Sequence, residues 1–260
     1  MKRLLLPPLI LLGGVGLSHS LQSKSLQTWT DNKGLVMIFR NLRAITGTKT
    51  ERDISMVGQV DATSTSQGLK ITSDRMDIHA VPDIKNPKAY VVQHAVAKGH
   101  VKIVKQVVAK EGNQETQIEG SQADLTSGAA ESVVKIAGPV TMKSLDGKHV
   151  QTMLATGNSG VATLESKGNG SLENGLREAK LDGSTHLVIN QIDSKTHKST
   201  TIRTSSDHVR LQNKGTDRVI TLTGAVHIFG DLTGDNKGSD SVVFTISKDG
   251  DFKINSGLDK

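Results

Sequence analysis

The stretch Val219-Ile-Thr-Leu-Thr-Gly-Ala-Val-His-Ile-Phe229 decides the fold. About Gly224 it places Ile220, Leu222, Val226 and Ile228 on one side, and Thr221, Thr223, Ala225 and His227 on the other. That is the period-two alternation of a strand with one face in a core and one in water. Gly58, Gly99, Gly138 and Gly183 centre equivalent stretches, and the five glycines are separated in turn by 41, 39, 45 and 41 residues. A period near 40 marks a repeated supersecondary unit that buries its apolar face by stacking on its neighbours.

The register holds position by position. Two before each glycine stand Met56, Ala97, Ile136, Leu181 and Leu222; two after stand Val60, Val101, Val140, Thr185 and Val226. Four before and four after are apolar in all five units, so Thr185 alone interrupts the apolar face. A slip of one residue would turn every apolar side chain to water, which specifies the register. Glycine within such a strand marks a bend or a close approach of another backbone.

A second alternating element follows each glycine strand. It reads Ile71-Thr-Ser-Asp-Arg-Met-Asp-Ile78, Ile118-Glu-Gly-Ser-Gln-Ala-Asp-Leu125, Ser205-Ser-Asp-His-Val-Arg-Leu211 and Gly238-Ser-Asp-Ser-Val-Val-Phe244, with a degraded third copy at Thr156-Gly-Asn-Ser-Gly-Val161. Each unit is therefore at least a pair of strands. Turn-forming clusters between them, such as Pro82 to Pro87 and Asp146-Gly-Lys148, separate strands rather than domains. The expectation is one elongated all-β domain over 35–256, after a polar linker at 21–34 that holds Trp29, with a short tail at 257–260.

The chain opens with Lys2 and Arg3, an apolar run from Leu4 to Leu17 and a small-x-small site at Ser18-His-Ser20. This pattern predicts an export signal over 1–20, with a retained anchor as the other option, although spanning a bilayer takes about 20 apolar residues. There is no cysteine, so packing and strand pairing hold an exported protein together without disulfides. Glycine is abundant at 26 residues, against one Trp, one Tyr and four Phe. That scarcity of aromatics argues against base-stacking or sugar-stacking surfaces.

The formal charge of +6 is spread over outward positions such as Lys98, Lys102 and Lys135, as on a solvated face. Its alternative use is a weak match to an anionic partner such as a phosphorylated lipid; nucleic acid is not expected. The sequence holds no His-Glu-x-x-His, no Gly-x-Ser-x-Gly, no Walker loop and no dinucleotide fingerprint, so it reads as non-enzymatic and without a cofactor. The histidines lack metal-ligand spacing, and Asp231, Asp235, Asn236 and Asp240 match no calcium loop. What remains is the apolar face. It either closes into a packed core or stays open to something greasy.

At Ala97-Lys-Gly-His-Val-Lys-Ile103 and Leu222-Thr-Gly-Ala-Val-His-Ile228, alternating with Ile71 to Ile78, the chain resembles the OstA-like repeat family, the LptA and LptC lipopolysaccharide transport proteins. The resemblance covers roughly Met56 to the C-terminus. It implies an elongated V-shaped β-jellyroll whose trough binds the acyl chains of lipopolysaccharide in the periplasm, between an inner-membrane ABC transporter and an outer-membrane translocon. It also implies end-to-end association through edge strands. Carried onto this sequence, the lining would be Met76, Val101, Ile103, Val140, Met142, Leu187, Val209, Val226, Ile228 and Phe244. Five units exceed those of the smaller members. The competing expectation is an exported structural or adhesive β-solenoid with a closed core.

Overall fold

The computed structural model describes residues 26–48, 50–109, 112–127, 131–145, 151–165, 176–192, 198–214, 217–230, 236–247 and 251–256. The export signal and the C-terminal tail expected from sequence lie outside them, as do Asp231 and Asp235 of the acidic loop. Alternating side chains turn nearly the whole described chain into strand: β1 (Gln27–Thr30), β2 (Leu35–Phe39), β3 (Asn41–Gly47), β4 (Arg52–Ser64), β5 (Leu69–Pro82), β6 (Tyr90–Ala109), β7 (Gly112–Ser127), β8 (Glu131–Leu145), β9 (Gln151–Glu165), β10 (Leu176–Ile192), β11 (Ser199–Lys214), β12 (Asp217–Gly230), β13 (Asn236–Ile246) and β14 (Phe252–Ser256). Trp29 of the expected linker lies in β1 and packs against the core. An indole with both its strand partner and apolar neighbours in reach has no reason to remain in a linker.

The strands form one antiparallel sheet in the order β1-β2-β4-β5 and then onward in sequence to β14, with β3 beside β4. β2 lies along Asp61–Ser64 of β4, and β3 lies along Arg52–Val57 of the same strand. The two ends of the sheet, β1 with β3 and β14 with β13, are not joined by hydrogen bonds, so the sheet is not closed.

β4, β6, β8, β10 and β12 are each bent near the middle. Gly58, Gly99, Gly138, Gly183 and Gly224 have φ of 81°, 73°, 85°, 79° and 74°, and Gln59, His100, Ser184 and Ala225 after four of them are also left-handed, at 54°, 44°, 47° and 44°. Pro139 follows Gly138, and its ring excludes positive φ. At each bend the ladder skips: Gly183 and Ser184 together oppose Asp207 alone, between the pairs Asp182–His208 and Thr185–Ser206. Such a bulge kinks a strand and sharpens its twist. Because adjacent strands skip at the same level, the bends align into a crease. It divides the sheet into arm I, containing β1, β2 and the Val60–Ser64 half of β4, and arm II, containing β3, β14 and the Arg52–Val57 half.

The apolar positions of both arms lie on the inner side and form one buried cluster. A single sheet face in water could not reach such burial, so each arm covers the other. Near the β1 end the arm tips also touch directly. The β1–β2 turn, shaped by Asp31 Oδ1 accepting from the backbone N–H groups of Lys33 and Leu35 at 2.8 Å, carries Asn32. Its N–H donates to Tyr90 O at 3.0 Å, and its side-chain amide donates to the Asp83 carboxylate.

Candidate functional site

The inner face is built in rows by strand register. In arm I, Val101, Val140 and Val226 occupy the row next to the crease, and Ile103, Met142, Leu187 and Ile228 the next one out. In arm II, Met76 and Val209 flank the crease and Phe244 stands one row further. The structure thus gathers all ten sequence-derived lining residues on one interior surface. It also buries each of them to between 0% and 3% exposure. The lining of the expected trough is therefore packed away from solvent, because the inner face of one arm is covered by that of the other.

Thr185, the apparent break in the apolar face, is fully buried and satisfied. Its Oγ1 lies 2.8 Å from both the carbonyl oxygen and the hydroxyl of Ser206. Ser206 is the inward crease residue of β11, and its hydroxyl donates to His208 O at 3.0 Å. Ser73 and Ser239 make the same bond two residues on, to Arg75 O at 3.0 Å and Ser241 O at 2.9 Å. Gly120 and Gly157 hold the corresponding crease positions of β7 and β9. The third unit is consequently not degraded: Gly157-Asn158 fills the place of Ser206-Asp207, and Asn158 faces Gly183 as Asp207 faces Gly224.

Sequence reasoning missed two polar features. The first is on the outer face, where four histidines pair with aspartates on a neighbouring strand: His79–Asp53 and His94–Asp124 at 2.8 Å, His100–Asp74 and His208–Asp182 at 2.7 Å. Hairpin register would have revealed three of them, since each is separated by 26 residues. A shallow outer depression of about 280 Å³ holds Asp53, Asp77, His79 and His94, and there His79 pairs with Asp53, His94 with Asp124 and Asp77 with Arg75. Burial pushes the Asp77 carboxyl up, but the Ser55 hydroxyl at 2.6 Å and the Arg75 guanidinium at 2.9 Å outweigh it and hold the pKa below its ordinary value. Among the described residues no group of three or more His, Asp or Glu side chains could hold a metal ion.

The second missed feature is Lys105. Three inward steps from the crease, after Val101 and Ile103, it is buried, its amine donates to Gln67 O in the short Thr65–Gln67 turn, and desolvation lowers its pKa. The continuing alternation places it inward, and only its charge suggested otherwise. Beside it on β7, Thr116 Oγ1 is buried without a hydrogen-bond partner.

The arrangement can hold an aliphatic ligand only if the arms part, exposing one continuous apolar lining with a cation near its outer margin. No helix among the described residues is long and apolar enough to cross a membrane. No protein-family model, curated protein or solved structure matches the chain.

Proposed function

We propose that this is an exported, non-enzymatic amphiphile carrier that holds acyl chains between the two arms of its folded sheet. In this reading the fold is a V-shaped β-jellyroll of five repeated units. The cargo is lipopolysaccharide or a similar amphiphile, crossing the periplasm from an inner-membrane ABC transporter towards an outer-membrane translocon. The observation that carries the reading is the division of the aliphatic interior between two arms. Strand hydrogen bonds run within each arm and through the crease. Among the described residues, the backbone bond outside the ladders that joins the arm tips is Asn32 to Tyr90.

Opening the arms therefore breaks few polar contacts. The apolar surface it uncovers is covered again by acyl chains, at about 25 cal/mol per Å² removed from water on either side of the exchange. Rows of Val, Ile, Leu and Met offer many similar shallow positions, which suits movement along the lining rather than capture in one deep pocket.

A second reading is favoured by the burial of all ten lining residues: a structural or adhesive β protein whose interior never opens. A photo-crosslinking side chain at Ile103 or Val226, compared with one at Lys102 or His227, separates the two. Lipid labelling at the inward pair alone is expected for a carrier. Labelling at neither inward position, together with no co-purifying lipid by mass spectrometry, leaves the structural reading.

A further inference from the structure

The inner face of arm I changes character near its tips. Lys105 on β6 is 7% exposed, and its register partner on β7 is Thr116, which is 1% exposed. Thr116 lies in turn opposite Ser144 on β8, also buried. On the crease side of this short polar row stand Ile103 and Ile118, which are directly paired and wholly aliphatic. Lys105 uses one of its three ammonium hydrogens on the Gln67 carbonyl. Among the described residues no carboxylate pairs with it, although its outward neighbour Lys102 has Glu119 at 3.5 Å.

A buried ammonium without a counter-ion and a buried hydroxyl without a partner are both unfavourable. Here they stand side by side, next to the aliphatic Ile103–Ile118 pair. An anionic oxygen placed between them would accept from the remaining ammonium hydrogens and from the Thr116 hydroxyl, relieving both at once. An aliphatic chain attached to that anion would run towards the crease over Ile103 and Ile118.

We propose that Lys105 and Thr116 form the headgroup site for an anionic amphiphile, a phosphate or carboxylate carried on an aliphatic chain whose tail lies in the interior. The site rests on the reading of the interior as an acyl-chain surface, and it adds to that reading a fixed polarity, with heads at the tips of arm I and tails at the crease. The lowered pKa of Lys105 has the sign expected of a desolvated amine, and a bound anion would raise it.

Isothermal titration of the full chain tests this with three probes below their micelle concentrations: dodecyl phosphate, dodecyl maltoside and inorganic phosphate. Dodecyl phosphate is expected to bind at least about tenfold tighter than the maltoside, a difference of about 1.4 kcal/mol. Lys105→Met and Lys105→Gln should each abolish that preference while leaving maltoside binding intact, Thr116→Val should weaken it several-fold, and Lys102→Met should leave it unchanged. Two Lys105 replacements separate loss of charge from a folding defect, which circular dichroism of each variant detects. Equal affinity for the two detergents, or a preference that survives both Lys105 variants, overturns the headgroup site and leaves the interior reading standing. If neither detergent binds, the interior reading fails and the site falls with it. Inorganic phosphate binding as tightly as dodecyl phosphate, and through Lys105, assigns the site to a free anion and overturns the amphiphile.

Discussion

Gly99 and Asp74 meet at the crease, on neighbouring strands, so closely that a Cβ on the glycine would collide with the aspartate carboxylate. The same carboxylate holds His100, the next residue along, at 2.7 Å. The bend in β6 is thus fixed twice, by a left-handed backbone that glycine adopts without strain and by a neighbour that leaves no room for a side chain.

Gly99→Ala should lower stability by about 2–4 kcal/mol, combining positive-φ strain with the collision. Gly34 has a similar φ of 80°, but nothing lies within 4 Å of where its methyl group would stand, so Gly34→Ala should cost only about 1 kcal/mol. Urea unfolding of the two variants checks the difference. Adding Asp74→Ala to Gly99→Ala should recover the steric share, and equal losses for the two glycines would contradict a crease held by close approach.

Thr185→Val should destabilise by about 1–3 kcal/mol, since it removes a buried hydroxyl that serves Ser206. Thr204 is the opposite case. Its Oγ1 is buried without a partner, so the isosteric Thr204→Val should be neutral or stabilising by up to about 1 kcal/mol. Paired denaturant titrations would show these effects with opposite signs.

Leu187 is fully buried in the middle of arm I, and Leu187→Ala should cost about 2–5 kcal/mol. Met142→Leu, close in volume, should cost less than about 1.5 kcal/mol. If the interior admits acyl chains, a bound lipid should offset part of the Leu187→Ala loss, seen as a larger lipid-induced rise in Tm for that variant than for the parent protein.

Acid should loosen the outer face of arm II. Burial alone would raise the carboxyl groups of both Asp77 and Glu178, but hydrogen bonds from Ser55 and Arg75 to the first, and from Arg210 at 2.7 Å to the second, leave each below its ordinary value. A carboxyl depressed in the folded state contributes stability above its unfolded pKa and loses it as pH falls through the folded one. The unfolding midpoint should therefore drop on acidification through and below the usual carboxylate range. Asp77→Asn with Glu178→Gln should flatten that drop when Tm is followed against pH.

For a carrier that opens at its arm tips, Asn32 is the latch at the β1 end. Asn32→Ala with Asp83→Ala should speed uptake of a fluorescent fatty acid while shifting the unfolding midpoint little, because about 1 kcal/mol is at stake per exposed hydrogen bond. Joining Asn32→Cys to Asp83→Cys with a short thiol-reactive crosslinker should slow uptake, and the absence of native cysteine makes the joined pair unambiguous. Unchanged uptake in both variants would place entry elsewhere.

Much of this architecture is legible in the amino-acid order. The alternation about each glycine names the inward residues of the long strands, and the Ser-Asp pairs of the second element mark where the facing strand meets the crease. Other features are hidden for identifiable reasons. Asn158 and Asp207 look unlike but fill equivalent places, because either side chain can face a glycine at the crease. Trp29 sits in a polar segment whose strand character comes from pairing with Met37 of β2. Lys105 lies at an inward position that its charge disguises, and the His–Asp pairs emerge only once hairpin register brings distant residues opposite one another.

Local order by itself determined which side of each long strand is apolar and where those strands bend, since both depend on residues within a few positions of one another. Thr185, by contrast, an interruption in the sequence, is buried and satisfied only through Ser206 of the neighbouring strand. Only the tertiary structure decided what the apolar side is buried against. Alternation specifies a face that must leave water, but the same face is satisfied by an opposing arm or by a lipid. The arms meet because the aligned bends turn the two halves of the long strands towards each other, and that is a relation among many strands that no single stretch contains.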